Sequence, residues 1–148
     1  FKNRFDVITL WGVIEHIKEP IPIMKLCHEY LKKNGMVVIE THNLDSLIAN
    51  YQIQNQACID RIMEGDKHIL NFNIKTLRYL FEKTGFDITY WDTLGLDIVT
   101  ILRYIRQSNP EIVNDAIFHH FEKYADEHQK TIDDLNLGDH IRLFALKN

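Results

Sequence analysis

Apolar residues between Phe5 and Leu10 (Phe-Asp-Val-Ile-Thr-Leu) fall on both parities. That pattern predicts an interior strand buried on both faces of a parallel sheet. Glu19-Pro20-Ile21-Pro22 then opens a stretch with Ile23, Met24, Cys27, Tyr30 and Leu31 at three- and four-residue spacings, closed by Asn34-Gly35 as a left-handed stop. This predicts an amphipathic helix. Met36-Val-Val-Ile-Glu-Thr repeats the buried-strand composition. Strand, helix and strand together make one right-handed crossover unit. Asn43 or Asp45 is placed to cap a helix carrying Leu44, Leu47, Ile48 and Tyr51, and the weakly patterned residues 52–56 predict a mobile lid.

A second crossover helix follows from Asn73 as cap, Leu77, Leu80 and Phe81 on one stripe, and Gly85 beyond the end. Phe86-Asp-Ile-Thr-Tyr-Trp-Asp alternates as a strand, and residues 95–107 are helical in pattern. Asn109-Pro110-Glu111 predicts the start of a long helix whose apolar face runs from Ile112 to Tyr124. Leu137-Gly138-Asp139 predicts a turn into a closing strand, Ile141 to Lys147. Alternating strands and helices give an α/β fold.

The chain has 148 residues, 45% apolar and 26% charged, enough greasy surface for one folded domain or a large part of one. A net charge of −4 supplies no basic field, which argues against nucleic acid. The longest nearly unbroken apolar run, Val7 to Ile14, falls short of the roughly 20 residues of a membrane span. Two cysteines without a CxxC spacing, and a beginning unlike a secretory signal, favour a reducing, cytoplasmic setting. The sequence opens without Met and runs almost at once into a strand, so a fragment of a longer protein is expected.

In open α/β sheets ligands gather at the carboxyl ends of the strands. That directs attention to Trp11-Gly-Val-Ile-Glu15-His16-Ile-Lys-Glu19 and to Glu40-Thr-His42-Asn43. Both segments, with Leu31-Lys-Lys-Asn-Gly-Met-Val-Val-Ile-Glu between them and His68, Leu77 to Phe81 and Gly85-Phe86 after them, resemble the carboxyl-terminal half of a class I S-adenosylmethionine-dependent methyltransferase, most nearly the ubiquinone-pathway O-methyltransferase group. The resemblance covers roughly residues 5–92, and more weakly 138–147, which is similar to the final antiparallel strand of that fold.

It implies a Rossmann-like methyltransferase sheet of which strands four to seven are present, with a helical insertion at about 95–138 acting as substrate cover or dimer surface. It also implies S-adenosyl-L-methionine as cofactor and a small-molecule acceptor. No GxGxG occurs in the chain, so the glycine-rich cofactor loop is expected elsewhere in a longer parent, and this segment alone is expected to be inactive.

The resemblance further implies site residues. Leu10, Trp11 and Glu15 match the cofactor side, although Trp11 reads equally as a half-buried core aromatic. Glu15 and His16 match a Glu-His pair able to relay a proton, or to brace the loop. In the ubiquinone-pathway group a second Glu three residues earlier helps bind magnesium; Gly12 stands there, so no metal is expected. His42 is placed to take the proton from an attacking hydroxyl, or is an exposed loop residue. His68 faces the substrate or caps a helix, and Asn43 orients the substrate or caps the next helix. Little acid or base chemistry is demanded, because a sulfonium is a good leaving group and alignment does much of the work.

His119, His120 and His128 lie among acidic residues and read as a solvated helix face. Trp91-Asp-Thr-Leu-Gly-Leu-Asp-Ile resembles segments of bacterial surface-polysaccharide methyltransferases and suggests a sugar-type acceptor. Two rivals stand beside this reading: a non-catalytic methyltransferase-like assembly module, and a metal hydrolase, for which HExxH is absent.

Overall fold

A computed structural model describes residues 1–55 and 68–148. Among them, four strands form one sheet: β1 (Phe5–Trp11), β2 (Leu31–His42), β3 (Phe86–Leu94) and β4 (His140–Lys147), in the spatial order β1-β2-β4-β3. β1 and β2 run parallel, and β4 is antiparallel to both its neighbours, as expected for the closing strand. The crossover helix α1 (Pro20–Tyr30) joins the parallel pair, and α3 (Ile74–Thr84) leads into β3. Their apolar stripes, with Met24, Cys27, Leu77, Leu80 and Phe81, cover one face of the sheet over Val37, Ile39, Leu143 and Ala145. α3 starts with a reciprocal capping box between Asn73 and Thr76 and stops at Gly85 in the left-handed conformation, φ 82°, both as the sequence pattern predicts.

Among the described residues β1 pairs only with β2, and Val7 and Trp11 are exposed. Three expectations need correction. First, α1 ends at Tyr30 because Leu31 is already extended, at φ −70° and ψ 140°. The left-handed residue is Asn34, φ 61°, and the pairing jumps from Phe5↔Leu31 to Val7↔Met36 across this irregularity. Gly35 serves a close approach instead, since a Cβ there would stand 2.9 Å from the Lys32 carbonyl oxygen.

Secondly, the long helix is broken into three pieces. After α4 (Asp97–Ser108), Pro110–Asn114 forms a 3-10 turn. Asp115 then caps α5 (Ala116–Lys123) by accepting from the Ile117 and Phe118 amides, and Tyr124, with non-helical dihedrals, separates it from α6 (Ala125–Asp134). These helices occupy the chain between β3 and β4, where the insertion was expected.

The helix α2 (Leu47–Asn55) is capped by Ser46, whose hydroxyl accepts from the Ala49 amide, rather than by Asn43 or Asp45. Ile48 and Ala49 of α2 pack on Ile101 and Tyr104 of α4. Of the expected lid, residues 52–55 belong to α2, and the rest lies outside the described residues. No helix among the described residues is long and apolar enough to cross a membrane.

Candidate functional site

Because β1 and β2 are parallel, their carboxyl ends reach the same rim of the sheet, with Trp11 opposite Glu40. The Gly12 amide donates to the Glu40 carbonyl at 3.0 Å, and Gly12 turns the chain at φ 59°, a conformation open to glycine. A single 3-10 turn, Ile14–His16, follows, anchored by the fully buried Ile14. This turn aims Glu15 inward, where it is only 3% exposed. Its Oε2 accepts from the Thr41 hydroxyl of β2 at 2.9 Å. Its main-chain carbonyl accepts from the Ile69 and Leu70 amides, each at 3.0 Å, and so draws His68 beside His16.

The result is a row of four imidazoles along the rim. His16 and His68 have ring centroids 5.1 Å apart, His68 and His42 4.4 Å, and His42 and His140 4.5 Å. His140 arrives through the antiparallel register that sets it opposite His42. The carboxylate of Asp139, fully buried, lies 2.6 Å from Nδ1 of His140. The Asp139 carbonyl accepts from the Asn43 amide, and its own amide donates to Asp97 Oδ2 at the start of α4.

His42 is mostly buried, with Nδ1 3.9 Å from Glu15 Oε1 and without a hydrogen-bond partner among the described residues. Burial, then the neighbouring His140 and His68 rings, lower its pKa from 6.5 to about 4, against the opposing pull of Glu15 and Asp139. The ring is therefore neutral near pH 7 and keeps a lone pair for a proton. Burial and the nearby Asp139 charge push the Asp97 carboxyl the other way, above the usual range.

Trp11 is half exposed, and the Arg142 guanidinium lies 5.4 Å from its ring centroid while bonding Glu40 Oε2 through Nε and Nη2. A flat, partly open indole at the end of a parallel strand suits the face of a purine. Those residues fit the adenosyl side of S-adenosylmethionine, while no glycine-rich turn is among them. Leu10 packs into the core behind this wall. Asn43 is 2% exposed, with its amide nitrogen on the Gly138 carbonyl and its Oδ1 accepting from the Asp45 amide. It fastens the β2 turn to the turn before β4, instead of facing the crevice.

The donor atoms of Glu15, His16 and His68 lie within 4.8 Å of one another. Of these, Glu15 also accepts from the Thr41 hydroxyl through Oε2.

Sequence reasoning thus named Glu15, His16, His42 and His68, which the fold brings together, and Trp11 at the same rim. It missed Asp139 and His140. The signal was present: a closing strand antiparallel to β2 sets its first residue beside the last residue of β2.

In an open α/β sheet, turns that open together at the carboxyl ends of parallel strands are where ligands gather. The chain belongs to the methyltransferase-domain family, whose profile matches residues 1–91. A ubiquinone biosynthesis O-methyltransferase from Histophilus somni is 37% identical over 43 residues, which are 29% of this chain and 18% of that protein. Among solved structures, a SAM-dependent methyltransferase from Thermotoga maritima superposes with a TM-score of 0.61 at 13% identity, covering 99% of this chain and 58% of that one. A second, from Archaeoglobus fulgidus, gives a TM-score of 0.58 at 19% identity, covering 99% and 61%. A phosphoethanolamine N-methyltransferase from Haemonchus contortus, solved with S-adenosyl-L-methionine, gives 0.52 at 19% identity, covering 99% and 34%. The chain therefore spans less than two thirds of the length of these proteins.

Proposed function

We propose that this chain contributes the acceptor side and part of the cofactor side of an S-adenosylmethionine-dependent methyltransferase that acts on a hydroxyl of a small molecule. The observation that carries this reading is the meeting of the Trp11 turn and the His42 turn at one rim. When bound, the sulfonium cofactor supplies an electrophilic methyl group and a neutral leaving group. Trp11 would hold the adenine end of the cofactor, with Leu10 behind it and Glu15 bordering the pocket. His42 accepts the proton of the attacking hydroxyl, while His16 and His68 line the acceptor side and exclude water. Asn43 fastens the His42 turn to the turn before β4. The sequence segment beginning at Trp91 favours a sugar-type acceptor.

The chain forms one part of a single methyltransferase domain in its full-length protein, with α4–α6 as cover over the acceptor or as the surface of a homodimer. Transfer of a labelled methyl group from S-adenosylmethionine to hydroxylated acceptors by the full-length protein tests the reading. His42→Asn is expected to slow transfer by about a hundredfold, the low end for general-base catalysis because alignment supplies much of the rate. Absence of transfer by the intact full-length protein overturns the enzyme reading in favour of a non-catalytic assembly module.

A further inference from the structure

The reading above explains His42 and leaves unused the best-anchored ionisable pair at the rim. Asp139 is fully buried, held from two sides by its amide on Asp97 Oδ2 at 3.0 Å and its carbonyl on the Asn43 amide at 2.8 Å. Gly95 makes this close arrangement possible: a Cβ there would fall 2.5 Å from Asp139 Oδ1 and 2.6 Å from Asp97 Oδ2. A carboxylate fixed this firmly, 2.6 Å from His140 Nδ1, sets the orientation of that ring. His140 in turn lies against His42, centroids 4.5 Å apart and planes tilted by 44°.

We propose that Asp139 and His140 are a positioning pair for His42: Asp139 anchors the His140 ring, and His140 seats the His42 ring. This inference rests on the reading of His42 as proton acceptor. The groups facing His42 come from three places: Glu15 from the turn after β1, His68 from the segment before α3, and Asp139 and His140 from the start of β4. Two carboxylates favour a charged His42 and two imidazoles oppose it. His140 is the stronger of the two opposing rings.

The test is an NMR titration of the His42 ring in the full-length protein, which needs neither cofactor nor turnover. His140→Gln is expected to raise the proton affinity of His42 severalfold, while His140→Lys, which places a cation at that position, holds it near the wild-type value. An unchanged His42 midpoint in His140→Gln overturns the proposal, as does an equal rise in both variants. If His140→Gln does not fold, Asp139→Asn serves instead. The downfield Nδ1–H resonance of an imidazole donating to a carboxylate should then be lost from His140; its persistence overturns the anchoring.

In the full-length protein the acid limb of the methyl-transfer pH profile should move upward in His140→Gln. A shifted His42 titration with no methyl transfer by the wild type supports the pair and overturns the catalytic reading. Normal transfer with an unmoved titration does the opposite.

Discussion

Replacing Thr41 by Val tests whether the β2–Glu15 contact holds the site together. Thr41 is 1% exposed, and its hydroxyl is 2.9 Å from Oε2 of a carboxylate that is itself nearly inaccessible. Val preserves the shape and removes the donor, so the carboxylate oxygen stays buried without its partner. A hydrogen bond to a charged group contributes about 1.5–3 kcal/mol net, and we expect a loss of about 2 kcal/mol. At 2–4 °C per kcal/mol for a chain near this size, the thermal midpoint falls by about 4–8 °C. Urea unfolding should show a lower midpoint with an unchanged slope. In a Glu15→Gln background the same substitution should cost about half as much, since a neutral acceptor makes the weaker bond. A Thr41→Val change within about 0.5 kcal/mol of wild type would refute the reasoning, because it would mean that water or another donor already satisfies Glu15.

Acid should destabilise the protein through His42. Its pKa is depressed from 6.5 to about 4 in the fold, so between those values the unfolded chain binds the proton and the native state does not; stability present above pH 6.5 is lost by about 3 kcal/mol as the pH falls to 4. Urea midpoints across that window should drop for wild type and stay flatter for His42→Asn. Leu143→Ala, which opens a cavity at the centre of the sheet, should cost about 2–5 kcal/mol in the same assay. Gly85→Ala should cost about 1 kcal/mol or more, because the position has φ 82° and a Cβ would stand 3.0 Å from His28 Nε2; an unchanged midpoint contradicts this.

The strands and crossover helices were legible because their apolar spacing reflects burial against one layer. At β1 the composition records two buried faces, and the described residues cover one. The reasoning failed after Asn109, where apolar periodicity continues through Asp115 although that side chain caps a new helix and ends the old one. Periodicity is blind to such a break because the apolar stripe resumes in phase.

At the site, Glu15, His16 and His42 were readable from loops adjoining strands. His68 owes its place to two amides on the Glu15 carbonyl, a main-chain contact that no side-chain motif encodes. His140 and Asp139 come from the far end of the chain, and only the antiparallel pairing of β2 with β4 carries them to His42.

Calorimetric titration of S-adenosylhomocysteine into the full-length protein and its Trp11→Ala variant tests the shared crevice most directly. Stacking of a base on an aromatic ring is worth about 1–3 kcal/mol, so the variant should bind about tenfold or more weakly than the wild type. No binding by the full-length protein, or equal affinity in the variant, would contradict the placement of the cofactor against Trp11.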